Sequence, residues 1–178
     1  MDSDKKSEYV ALIMNVMSIQ VTIADRSHLK ALHVLVQSIA ATDPSGSSEI
    51  AVSASEGLRN SLDHFDALDS DCGWILIAFV GDQPAGVATL SRIPKLDTRL
   101  GFLYLDELHV IPQYRRQGVG KALLTQSIHL TRNLELAGLR LLARIDNDPA
   151  RRLYETMGFA GNETMLYQLR FDREDAQP

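Results

Sequence analysis

One stretch, Leu103 to Leu124 with the sequence LYLDELHVIPQYRRQGVGKALL, limits what this chain can fold into more than any other. Leu103 to Val110 is apolar and aromatic enough for a buried strand, and Pro112, which has no backbone donor, stops it. Arg115, Arg116, Gln117, Gly118, Val119 and Gly120 follow, and then the helix formers Lys121, Ala122, Leu123 and Leu124. A strand that runs through a glycine-bearing turn into a helix gathers several backbone N–H groups at one point. The first amides of a helix have no partner within it and carry partial positive charge, so that point attracts phosphate oxygens. Gly118 and Gly120 permit close approach of backbone to an anion, and Arg115, Arg116 and Lys121 add formal charge. Taken alone, R-x-x-G-x-G describes an ordinary βα turn equally well, with glycines reversing the chain and arginines in water.

The strand itself carries a second signal. Leu103 and Leu105 are odd-numbered, whereas Leu108 and Val110 are even, so strict alternation would put the two pairs on opposite faces. One extra residue near Asp106 and Glu107 restores a common face, which is the mark of a β-bulge. A central strand buried on both faces would make the phase uninformative and is the competing explanation. Two carboxylates at this place are costly to bury without purpose. His109 is read as a packed or solvated histidine with no part in proton transfer.

Composition narrows the rest. A chain of 178 residues with 45% apolar content suits one globular domain with a sizeable core. No apolar run approaches the ~18 residues of a membrane span. Tyr9 to Met17 follows Lys5 and Lys6 in the manner of a signal peptide, but Asn15 interrupts it and no small-residue cleavage site follows, so a cytoplasmic protein is expected. Cys72 is the only cysteine, which excludes an intrachain disulfide and a thiolate metal cluster; no metal site is expected. Eighteen basic against 23 acidic residues argue against nucleic acid and favour a cationic substrate.

Taken in order, residues 1–17 read as an N-terminal extension, 18–172 as one domain and 173–178 as a charged tail. Ile19, Val21 and Ile23 alternate with polar residues as a half-buried strand. Asp25 caps a helix with Leu29, Leu32, Leu35, Val36 and Ile39 on one face. A second helix is expected from about Ser53 to Leu68. Gly73–Val80 and Ala85–Ile93 form a hairpin around Gly81-Asp82-Gln83-Pro84. Trp74 and Cys72 read as core or edge residues. The helix after Gly120 is expected to end at Gly138, and Leu139–Ile145 to be a strand parallel to Leu103–Val110 because a helix lies between them. Asn147 or Asp148 then caps a short helix with Pro149 in its first turn and Gly158 at its end. Met165–Phe171 is expected as a last strand.

The pair R-x-x-G-x-G and N-x-x-A-x-x-x-Y-x-x-x-G-F, the latter formed by Asn147, Ala150, Tyr154, Gly158 and Phe159, resembles the GNAT superfamily of acyl-CoA-dependent N-acetyltransferases. The resemblance is sharp from Leu103 to Phe159. It implies an α/β fold whose central mixed sheet is flanked by helices and has splayed parallel central strands. It further implies acetyl-CoA as co-substrate, with the pyrophosphate on Arg115, Arg116, Gln117, Gly118, Val119, Gly120 and Lys121. The pantetheine arm would pair with the backbone of Leu108, His109 and Val110, and Asn147 would contact the coenzyme. Tyr154 would protonate the departing thiolate. The segment YLDEL also resembles polyamine-type members, in which a carboxylate at the position of Asp106 contacts or activates the amine. The implied partners are coenzyme A and a small amine, with neither nucleic acid nor membrane; a homodimer is compatible with the resemblance.

The chemistry can be stated on its own terms. Attack of an amine on a thioester makes an oxyanion, and an unpaired amide near Leu108 is placed to stabilise it. The amine must be neutral to attack, so Asp106 or Glu107, directly or through water, can take its proton. Nothing points to an acyl-cysteine, and direct transfer within a ternary complex is simplest. Acetylation of a protein N-terminus or lysine is the alternative within enzymes, and a non-catalytic acyl-CoA sensor is the alternative outside them.

Overall fold

The computed structural model describes residues 18–42, 68–96 and 100–169. The chain divides into two compact units between Ala143 and Arg144. The first contains β1 (Ile19–Ile23), a 3-10 turn (Arg26–His28) continuing into α1 (Leu29–Thr42), β2 (Gly73–Val80), β3 (Gln83–Ile93), β4 (Phe102–Val110), a second 3-10 turn (Pro112–Tyr114), α2 (Val119–Asn133) and β5 (Leu139–Leu141). The second contains α3 (Asp148–Thr156). Among the described residues no helix is long and apolar enough to cross a membrane.

Among the described residues five strands form one mixed sheet in the order β1-β2-β3-β4-β5. The first three pairings are antiparallel, and β4 with β5 is parallel across the α2 crossover. Helix α2 packs on the face that carries Leu103 and Leu105, both buried, and contributes the buried Val119, Leu123 and Leu124. Helix α1 covers the other face, where Leu32 and Leu35 meet Ala24, Ile77 and Val87. Asp25 caps the turn into α1: its carboxylate accepts the Ser27 amide, and the His28 ring accepts the Asp25 amide. The expected apolar face of α1 is present at Leu32, Leu35, Val36 and Ile39, but Leu29 is exposed at the helix start.

Several boundaries differ from expectation. Helix α2 ends earlier than Gly138: Glu135 takes the left-handed conformation, with φ 54°, and the Leu136 and Glu135 amides bond back to Thr131 and Arg132. Gly138 instead packs beside Phe102. Strand β5 is Leu139–Leu141 rather than Leu139–Ile145, because its parallel ladder makes its last rung at Leu105↔Leu141. The expected strand at Met165–Phe171 is absent over its described part, Met165–Leu169. Met165, Leu166, Tyr167 and Leu169 are all exposed, and no described strand pairs with the segment, so its alternating apolar residues are left without a partner sheet. The expected helix from Ser53 lies outside the described residues up to Leu68, which sits in a turn; so do residues 1–17 and 173–178.

One glycine sets the packing distance between the sheet and α2. A Cβ at Gly86 would stand 2.8 Å from the His109 carbonyl oxygen and 3.0 Å from Val119 Cγ1. Gly86→Ala should therefore destabilise the protein by about 1–3 kcal/mol, as overpacking of a filled site does. Urea unfolding of the two proteins at one pH checks this, and equal midpoints would contradict it.

Candidate active site

Residues Leu103 to Lys121 form one continuous arrangement in the first unit. Leu105 pairs with Leu90 and Glu107 with Thr89, so Asp106 is the extra residue of a β-bulge in β4. The insertion returns Leu108 and Val110 to the face of Leu103 and Leu105, as the phase change in the sequence requires. Tyr104, Glu107 and His109 consequently share the opposite face, the one covered by α1. The amide of Glu107 is held by a side chain, its N–H donating to Thr89 Oγ1 at 3.1 Å. His109 Nε2 and Ser38 Oγ of α1 lie 3.1 Å apart in a half-buried hydrogen bond.

The bulge also leaves an open edge. Past Leu105, no strand among the described residues pairs with β4 on its β5 side. The Glu107 amide points toward β3, as does that of Ile111, which donates to Ala85. Successive amides of a strand alternate in direction, so the backbone polar groups of Leu108 and Val110 point to the open edge. Arg115 uses part of it, its Nε donating to the Val110 carbonyl at 3.0 Å.

That edge runs directly into the glycine turn. Arg116 has φ 64° and Gly118 φ 90°, both left-handed, with Gln117 between them. For Gly118 the conformation is what requires glycine, since a Cβ would meet only Ile19 Cδ1 at 3.6 Å. Gln117 closes the turn by donating to the Gln113 carbonyl at 2.7 Å. The first bond of α2 runs from the Ala122 amide to the Gly118 carbonyl, which leaves the amides of Val119, Gly120 and Lys121 at the helix start. The Val119 side chain is core, so only its backbone is available to a ligand. The Arg115, Arg116 and Lys121 side chains are exposed around this point. Convergent amides with cations around them can hold a phosphate or pyrophosphate.

Electrostatics separates the polar side chains. Partial burial pushes the Glu107 carboxyl above the usual carboxylate range, and the charge of Asp106 raises it further. Tyr104 is also raised, by burial and then by Asp106. Burial lowers His109, and Arg115 adds to this, so its ring favours the neutral form. Among the described residues no group of three or more His, Cys, Asp or Glu side chains could hold a metal ion. Cys72 is an exposed thiol just before β2.

Asn147 and Tyr154 belong to the second unit. Asn147 caps α3, its side-chain oxygen accepting the Ala150 amide at 3.3 Å, and Pro149 lies in the first turn. Seven residues on, two helical turns, Tyr154 shares the same stripe of the helix. Its ring meets Phe159 edge-on with centroids 5.9 Å apart, and burial raises its hydroxyl above the ordinary phenol range. Gly158, with φ 89°, ends the helix: its amide and that of Phe159 bond back to Glu155 and Tyr154. Thr89 and Ser38 were not legible as site residues. Only the strand register and the packing of α1 bring their hydroxyls to Glu107 and His109.

The family model described as Acetyltransferase (GNAT) family matches residues 39–159. A thialysine N-epsilon-acetyltransferase from Caenorhabditis elegans is 30% identical over 84 residues, 47% of this chain and 51% of that protein. The chain thus spans about half the length of the curated relative it matches. A solved aminoglycoside acetyltransferase, HMB0005 from an uncultured soil metagenomic sample, superposes with a TM-score of 0.73 at 18% identity, covering 88% of this chain and all of the other. AAC(6')-Iy in complex with a bisubstrate analog superposes with a TM-score of 0.66 at 16% identity, covering 86% and 99%.

Since His109 sits below the ordinary imidazole range, the unfolded chain binds its proton first as pH falls. Stability should therefore drop as pH falls through that range and below. His109→Gln removes this contribution, so the loss of urea midpoint between neutral pH and pH ~5 should be smaller in the variant. An equal loss in both proteins would contradict the assignment.

Proposed function

The chain belongs to the acetyltransferase (GNAT) family, and on that premise we propose that it moves the acetyl group of acetyl-CoA directly to a primary amine. One observation carries this reading. The open edge of β4 at Leu108 and Val110 is followed in the same unit, after one 3-10 turn and the glycine turn, by the amides of Val119, Gly120 and Lys121 at the start of α2. An amide-bearing arm can pair along the first while its pyrophosphate rests on the second, within Arg115, Arg116, Gln117 and Gly118. Asn147, whose oxygen is engaged as a cap, keeps its amide N–H groups for the coenzyme.

In the reaction we infer, the amine nitrogen attacks the thioester carbonyl carbon and the carbonyl oxygen becomes an oxyanion. The Leu108 amide, directed to the open edge, supplies a hydrogen bond to that oxygen. The sequence resemblance favours Asp106 as the group that takes the amine's proton; the electrostatic surroundings favour Glu107. Its carboxyl is raised toward working pH, which suits a base, and Asp106 is the neighbouring charge that helps to raise it. Both carboxylates attract a cationic amine. The C–S bond then breaks, and Tyr154, whose phenol is protonated at neutral pH, donates a hydrogen bond or its proton to the departing thiolate, the role the family resemblance gives it. A small cationic amine is the preferred acceptor; thialysine and aminoglycosides, for which similar proteins are named, are amines of this kind. A protein N-terminus or lysine is the alternative acceptor, and a purely acyl-CoA-binding role is the alternative without catalysis.

Release of coenzyme A thiol, followed with thialysine, spermidine, sisomicin and a lysine peptide, tests the reading. Amine-dependent release is expected, and release with none of the four would contradict it. Tyr154→Phe keeps the ring and its packing on Phe159, so acetyl-CoA affinity should stay while turnover falls by ~10²–10⁴-fold. Unchanged turnover would make Tyr154 a packing residue.

A further inference from the structure

Thr89 of β3 stands directly across from Glu107 and, as its antiparallel partner, presents its side chain to the same face. Its hydroxyl oxygen accepts the Glu107 amide at 3.1 Å, immediately after the extra residue Asp106. A bulge is where a ladder is least determined, since two residues face one and the local twist can vary. In contrast, the buried hydroxyls of Ser127 and Thr131 bond only to carbonyls of their own helix, at Leu123 and Ser127. The hydroxyl of Thr89 reaches across strands, to the backbone of the residue that carries the raised carboxyl.

We propose that Thr89 is a positioning residue for acetyl transfer: its hydroxyl fixes the backbone of Glu107, and with it the aim of that carboxylate and of the Leu108 amide that follows. This rests on the reading of Glu107 as the base. Thr89 touches no reacting atom; it acts through the peptide plane between Asp106 and Glu107, which carries the Glu107 N–H. Rotation of that plane shifts the Glu107 Cα, and so re-aims both the carboxylate it carries and the Leu108 amide that follows. Valine would fill the same space with the same branched shape and strand preference, so only the hydrogen bond distinguishes threonine at this place.

Thr89→Val, Thr89→Ser and Glu107→Gln, each in the full chain, separate the possibilities, with the fastest of the four amines above as acceptor. The valine variant should lose about tenfold in kcat while acetyl-CoA affinity stays unchanged, and serine should restore kcat to within about twofold. Thr89→Ala replaces the valine variant should that fail to fold. A kcat in Thr89→Val equal to that of the parent, or a serine variant no better than valine, overturns the inference. If that happens while Glu107→Gln is impaired, the base assignment stands and only the role of Thr89 falls. Full activity of Glu107→Gln overturns the base assignment and this inference with it, as does the absence of turnover with every amine.

Discussion

Strand β4 holds one residue more than β3 can pair, and that residue, Asp106, follows the last rung that β4 makes with β5 at Leu105. An insertion in one strand bends it and strengthens its twist. The parallel ladder therefore stops where the bulge begins, and β4 continues to Val110 with backbone groups directed to an open edge. The bulge that accommodates this residue also shifts by one the alternation of every side chain after it. Without it, Leu108 and Val110 would leave the α2 face, and Glu107 and His109 would enter a core of Val119, Leu123 and Leu124 that has no partners for them. One added residue thus makes both halves of the proposed site, an edge for the coenzyme and a polar row for the acceptor.

The polar row is tolerable because it is partnered. His109 shares a hydrogen bond with Ser38, and the Glu107 amide has Thr89. The Glu107 carboxyl, beside Asp106 and partly withdrawn from water, is the group left under electrostatic pressure. Two carboxylates in sequence at an exposed bulge are hard to explain by packing. They make sense as a cation-attracting pair in which one member raises the basicity of the other.

Much of this was legible in the residues. The change of parity between Leu105 and Leu108 announced the bulge, because side-chain direction in a strand has a period of two and leaves no other way to keep both pairs buried on one face. Asp25, Asn147, Pro149 and Gly158 marked helix ends through cap chemistry, which is local and so readable from neighbours. Gly138 misled because the left-handed turn ending α2 was taken by Glu135, and a glycine next to an aromatic ring serves packing equally well. The length of β5 was not readable, since a strand ends where its partner bends away, a fact about β4. Thr89 and Ser38 were invisible for the same reason. Their importance lies in what stands opposite them, and a single sequence does not contain that pairing.

The central claim is that the backbone edge of β4 is a coenzyme-binding edge, and amide hydrogen exchange tests it most directly. With saturating acetyl-CoA, the amides of Leu108 and Val110 should slow markedly, together with those of Val119, Gly120 and Lys121 at the start of α2. The amides of Glu107 and Ile111, already bonded toward β3, should change little. Acetyl-CoA that binds and leaves Leu108 and Val110 exchanging as before would contradict the account.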